Sequence, residues 1–169
     1  MSPNAVSCRL GCSSAEKGGY EHFMFKEIME QPEAIRKTIS PRLKNGKIVL
    51  DDVSLSKEDL EKISKIVVLA CGSAYHVGMN AKYILEKIAR IPVEVDLASE
   101  FRYRDPIIDE SVLVLVISQS GETADTLAAL REAKRLGARV ISIVNVVGSS
   151  IANDSDDVSL YLGWSGDCG

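Results

Sequence analysis

The sequence holds 169 residues, 46% of them hydrophobic and 26% charged, which suits one globular domain with a real core and argues against a disordered chain. A net charge of −4 leaves no broad basic field for nucleic acid or an anionic membrane, although a small anion can still be held locally. No apolar run is long enough to span a bilayer and the N-terminus lacks the basic-then-apolar layout of a signal peptide, so the chain is expected to be cytoplasmic.

Residues 1–19 are rich in Ser, Gly and Cys without an apolar period and read as a loose or non-native lead-in. Cys8, Cys12, Cys71 and Cys168 form no paired metal-ligand spacing, so reduced thiols and no metal are expected. Residues 20–55 read as an N-terminal helical segment. Phe23, Ile28, Ile35 and Ile39 make a helical stripe that Pro32 interrupts, predicting two short helices, and Asn45-Gly46 marks a turn.

The main domain is read over residues 56–162. Ser56 followed by Glu58, Asp59, Leu60 and Ile63 resembles a capped helix start. Ile66–Cys71 is a continuous apolar run ending at Gly72, as buried parallel strands tend to end, and Ala74–Arg90 supplies the following helix. Val93–Leu97 is a second strand and Ala98–Tyr103 a short helix. Val112–Ile117 is the strongest strand, with a helix over about Glu122–Leu136 closing at Gly137. Val140–Val144 and Val158–Leu162 complete the strands. Strands alternating with helices of this length predict an α/β fold, a parallel sheet covered on both faces. In such sheets ligands sit beyond the carboxyl ends of the strands, which directs attention to the residues after Cys71 and Ile117.

Ser118-Gln119-Ser120-Gly121-Glu122-Thr123 joins the strongest strand to the most regular helix. Hydroxyls and free amides there meet the positive end of a helix dipole, which suits a phosphate without Lys or Arg. Gly121 would let backbone approach a ligand closely. The structural alternatives are that Ser120 is a helix cap and Ser118 a polar loop residue. Gly72 and Ser73 lie on the same rim and could offer amides and a hydroxyl to a sugar, or serve only as a turn and a cap. His76, with no carboxylate partner in the pattern, reads as structural. The Gly72–Gly78 spacing fits neither the dinucleotide fingerprint nor a phosphate-binding loop ending in Gly-Lys-Ser/Thr, and no cofactor is expected.

Four segments together, Glu21–Pro32, Ala70-Cys71-Gly72-Ser73, Ala98-Ser99-Glu100-Phe101-Arg102-Tyr103-Arg104 and Ser118–Leu127, resemble the glutamine:fructose-6-phosphate amidotransferase family, as does Asn145–Ser150. The serine-rich element alone resembles only the wider sugar isomerase (SIS) superfamily. The resemblance implies a three-layer, flavodoxin-like SIS domain, the first of the two in that family's isomerase half. It further implies fructose 6-phosphate and glucosamine 6-phosphate as ligands, a homodimer, and a role in making glucosamine 6-phosphate. The family's sugar-phosphate contacts map onto Gly72, Ser73, Ser118, Gln119, Ser120 and Thr123, with Ser73-Ala74 standing where many members have Thr-Ser. The family's glutaminase domain and its isomerase acid, base and lysine fall outside these 169 residues, so no catalytic residue is assigned and the chain alone is expected to be inactive. A stand-alone sugar-phosphate-binding or regulatory module is the alternative.

After Tyr161 the resemblance stops. Residues 163–169 read as an aberrant tail, because a one-base shift of codons such as CTG GGC TGG TCC GGA GAT TGC turns Leu162-Gly163-Trp164-Ser165-Gly166-Asp167-Cys168 into the family's Trp-Ala-Gly-Pro-Glu-Ile.

Overall fold

Five parallel strands carry the fold: β3 (Lys65–Ala70), β4 (Val93–Leu97), β5 (Val112–Ser118), β6 (Arg139–Val144) and β7 (Asp157–Leu160), in the spatial order β4-β3-β5-β6-β7. The computed structural model describes residues 17–50 and 52–161; the lead-in over residues 1–16 with Cys8 and Cys12, and the tail after Tyr161 with Cys168, lie outside the described residues. The described residues divide into two compact units, one over residues 17–48 and the other over residues 49–161.

In the first unit, helix α1 runs unbroken over Phe23–Ile39, with Pro32 inside it. The expected break into two helices does not occur. Proline removes one amide bond and hinders one carbonyl, whereas good helix formers flank it and Arg36 and Lys37 complement the dipole in the last turn. Asn45 and Gly46, both at positive φ, close a two-stranded hairpin of β1 (Leu43–Lys44) and β2 (Lys47–Ile48).

The second unit holds the five-stranded sheet. It opens on α2 (Lys57–Lys62), where Ser56 and Asp59 form a reciprocal capping box. The other helices are α3 (Ser73–Ala89), α4 (Ala98–Phe101), α5 (Ala124–Arg135) and α6 (Ser150–Asp154). Alternation along each strand sends Val67, Leu69, Val114, Val116, Val140 and Val144 to one face, against Phe101, Ala129, Leu130, Ala133 and Ile151. Ile66, Val68, Leu113 and Ile141 face the other way, where Leu85 of α3 and the segment carrying Val53, Leu55 and Ile63 pack on them. The result is the expected three-layer α/β fold. Gly78 lets α3 approach the sheet, since a methyl there would lie 2.9 Å from Val68 Cγ1.

An ion pair with a buried carboxylate and a half-buried guanidinium ties the start of this unit to its last strand. Asp157, 5% exposed, accepts from the Ser54 amide at 2.8 Å, the Ser54 hydroxyl at 2.7 Å and Arg139 at 2.7 Å. Burial pushes the Asp157 carboxyl up, but the Ser54 donors and Arg139 together hold it below its usual range.

Read from β3 onward, the strands take the order 2-1-3-4-5, so the chain reverses its direction of winding between β3 and β5. The loops after these two strands diverge to opposite faces and leave a crevice between them. Ala70 pairs with Ile117, which brings Cys71–Ser73 and Ser118–Thr123 side by side across roughly 40 residues of intervening chain.

Candidate functional site

The crevice is a cleft of about 220 Å³ lined by Cys71, Ser73, Ala74, Ile117, Ser118, Gln119, Ser120, Thr123 and Thr126. Five of the six residues singled out from the sequence therefore meet on one wall or the other. The sixth, Gly72, makes the turn between them, at φ 58° with no atom within 4 Å of where a side chain would project. His76 does not line the cleft; it stands exposed on α3 with its ring edge-on to Tyr75. A larger cavity of about 500 Å³, lined by Asp59, Lys62, Glu110 and Arg139 among others, sits at the amino ends of β5 and β6. Topology favours the smaller cleft, because only the carboxyl rim has loops that diverge.

The loop from Ser118 to Thr123 is organised from within and braced from outside. Ser118 is buried, its hydroxyl accepting from the Gly121 amide at 3.1 Å and lying 3.3 Å from Thr123 Oγ1. Ser120 accepts from the Glu122 amide at 3.2 Å, a local turn bond rather than the helix cap. The capping position of α5 falls to Thr123, whose side chain makes no bond to the first-turn amides, so these donors remain without a helical acceptor. The segment after β6 supplies the outer brace: the Asn145 amide donates to the Gln119 carbonyl, that of Ile151 to the Gly121 carbonyl, and that of Ser150 to Glu122 Oε1 at 2.7 Å. The amide and hydroxyl of Ser150 hold the Glu122 carboxyl below its ordinary range.

Gly121 has a different reason for being glycine than ligand approach. It takes φ 67°, and a methyl on it would stand 2.0 Å from Ser149 Oγ and 2.5 Å from Ser149 Cβ. The brace packs directly on this position. Ser149, Cys71 and Thr126 are contributors that the sequence reading passed over. Thr126 carried a usable signal, since it lies three residues after Thr123 and so on the same face of α5. Ser149 carried only a local one, a serine positioned to cap the short α6.

Among the described residues the cleft wall presents hydroxyls, one carboxamide, one thiol and backbone amides, with no carboxylate, imidazole or ammonium. Such a wall can bind and orient an anion through directed neutral donors.

The sequence profile of the SIS domain matches residues 59–163. The chain belongs to the SIS domain family. The chain is similar to the isomerizing glutamine-fructose-6-phosphate aminotransferase of Clostridium acetobutylicum, at 64% identity over 155 residues, which is 91% of this chain and 25% of that protein. Among solved structures it resembles the C-terminal domain of glucosamine-fructose-6-phosphate aminotransferase from Francisella tularensis, with a TM-score of 0.80 and 46% identity over 88% of this chain and 41% of the other. Glucosamine-6-phosphate deaminase from Thermotoga maritima shares the fold at a TM-score of 0.66 and 24% identity, over 83% of this chain and 40% of that one. The chain spans about a quarter of the length of the curated relatives it matches.

Proposed function

We propose that this SIS domain is the sugar-phosphate-binding part of an isomerizing glutamine-fructose-6-phosphate aminotransferase, holding fructose 6-phosphate and glucosamine 6-phosphate in the cleft between β3 and β5. The observation that carries the reading is the gathering of Ser118, Ser120 and Thr123 hydroxyls with the acceptor-free amides of α5 at the switch point of the sheet. A phosphate dianion there meets directed donors and the positive end of a 12-residue helix, with no lysine or arginine needed. Gln119 and Ser73 reach the same space and suit the sugar hydroxyls, while the open turn at Gly72 leaves room beside them. The relatives' names supply the substrate class, and the site residues are those on which the family resemblance also falls.

Binding without turnover is the second reading, favoured by a cleft wall that lacks an acid-base pair among the described residues. The domain acts in the cytoplasm as part of a homodimer, with neither nucleic acid nor a membrane as partner and no metal or cofactor. The cytoplasmic homodimer is what the family resemblance implies; the net charge of −4 speaks against nucleic acid or an anionic membrane as partner, and among the described residues no helix is long and apolar enough to cross a membrane.

Calorimetric titration of the chain with fructose 6-phosphate and glucosamine 6-phosphate tests the proposal, beside a variant carrying Ser118→Ala, Ser120→Ala and Thr123→Ala. Saturable binding that inorganic phosphate competes away, and that the variant loses, is expected. Equal binding by the folded variant would refute the assignment of these residues.

A further inference from the structure

Thr126 is 1% exposed, lines the cleft, and is the third residue of α5. The carbonyl four residues back belongs to Glu122, ahead of the helix, so the hydroxyl has no helical carbonyl at that position. It donates to Cys71 Sγ at 3.6 Å, between two residues that both line the cleft and lie 55 apart in sequence. Sulfur is a weak acceptor, so a valine of the same shape would serve packing at least as well. The hydroxyl is therefore better explained by what it connects. Cys71 is the last residue before the turn at Gly72 and Ser73, on the β3 wall, whereas Thr126 belongs to the helix that the phosphate loop opens.

We propose that Thr126 is a positioning residue of the sugar-phosphate site: through Cys71 it fastens the Gly72-Ser73 turn to the helix carrying Ser118–Thr123, so that both walls hold one ligand in register. The proposal rests on the reading of the cleft as a sugar-phosphate site. Thr126 itself need not touch the ligand, because its effect is transmitted by the separation and orientation of the two loops.

Calorimetry with fructose 6-phosphate and hydrogen exchange of the segment around Cys71–His76 test it on the full chain. Thr126→Val is expected to weaken binding about 3- to 10-fold, as loss of one modest hydrogen bond would, with thermal stability unchanged or raised. Thr126→Ser, which keeps the hydroxyl, restores the affinity. Cys71→Ala weakens binding to a similar extent, and adding Thr126→Val to it causes no further loss. Amide exchange in the turn is at least about threefold faster in Thr126→Val and normal in Thr126→Ser. Affinity within twofold of the parent in Thr126→Val, or multiplying losses in the double variant, overturns the proposal. If Thr126→Val fails to fold, Cys71→Ala decides it: parent-like affinity and parent-like exchange of the turn in that variant overturn the proposal. If the parent chain binds no fructose 6-phosphate, the functional reading fails, and the exchange measurement still decides whether Thr126 fastens the turn.

Discussion

Replacing Gly121 by alanine strains the phosphate loop in two separable ways. The residue sits at φ 67°, where a side chain costs about 1–2 kcal/mol against the neighbouring carbonyl. The added methyl also falls 2.0 Å from Ser149 Oγ and 2.5 Å from Ser149 Cβ. The hydroxyl could rotate away at the cost of the cap it makes by accepting from the Ala152 amide at 3.4 Å, but the Cβ is held by a backbone whose Ile151 amide donates to the Gly121 carbonyl at 3.0 Å. Ser149 is 3% exposed and has little space to retreat. Overpacking of this kind costs about 1–3 kcal/mol, giving about 2–5 kcal/mol in all for Gly121→Ala. Ser149→Gly removes both atoms of the clash and should restore the steric share, about 1–3 kcal/mol, when combined with Gly121→Ala. Gly72→Ala is the control: with nothing within 4 Å it carries only backbone strain of about 1–3 kcal/mol. Urea denaturation of the four chains and the Gly72→Ala control measures these differences. A Gly121→Ala protein within 1 kcal/mol of the parent, or a double variant no more stable than Gly121→Ala, would refute the claim that the brace dictates this glycine.

Asp157→Asn should destabilise the domain by about 2–4 kcal/mol, since it leaves Arg139 without its buried partner; denaturation at neutral pH checks this. Because the folded-state pKa of Asp157 is depressed, its contribution is present above the usual carboxylate pKa near 3.8 and is lost as pH falls through the lower folded value. An acid titration of stability should therefore be flatter below about pH 4 in the asparagine variant than in the parent. Ser142→Ala should be neutral or stabilising by about 1 kcal/mol, read by melting temperature, since the Ser142 hydroxyl is buried in β6 with no partner among the described residues.

Much of the α/β pattern was readable along the chain because its signals are local. Val112–Ile117 and Ile66–Ala70 are buried on both sides, so they appear as unbroken aliphatic runs, and Ser56 announces α2 through a bond three residues on. The helix through Pro32 was misread because a single proline is a local penalty that a favourable helix on both sides outweighs. Helix α6 was missed because five residues give no apolar period, only the Ser149 cap.

The amino-acid sequence alone determined the five strands of the parallel sheet, the longer helices between them, and that a hydroxyl-rich turn opens α5, because periodicity, caps and turn residues act within a few positions of themselves. Only the tertiary structure decided that β3 and β5 are neighbours with their loops on opposite faces. That pairing joins residues far apart in the chain, and it sets Ser73 against Ser118–Thr123, links Thr126 to Cys71 and presses Ser149 onto Gly121. Such contacts are selected by the joint burial of two sheet faces, a property of the whole domain that no short window of sequence contains.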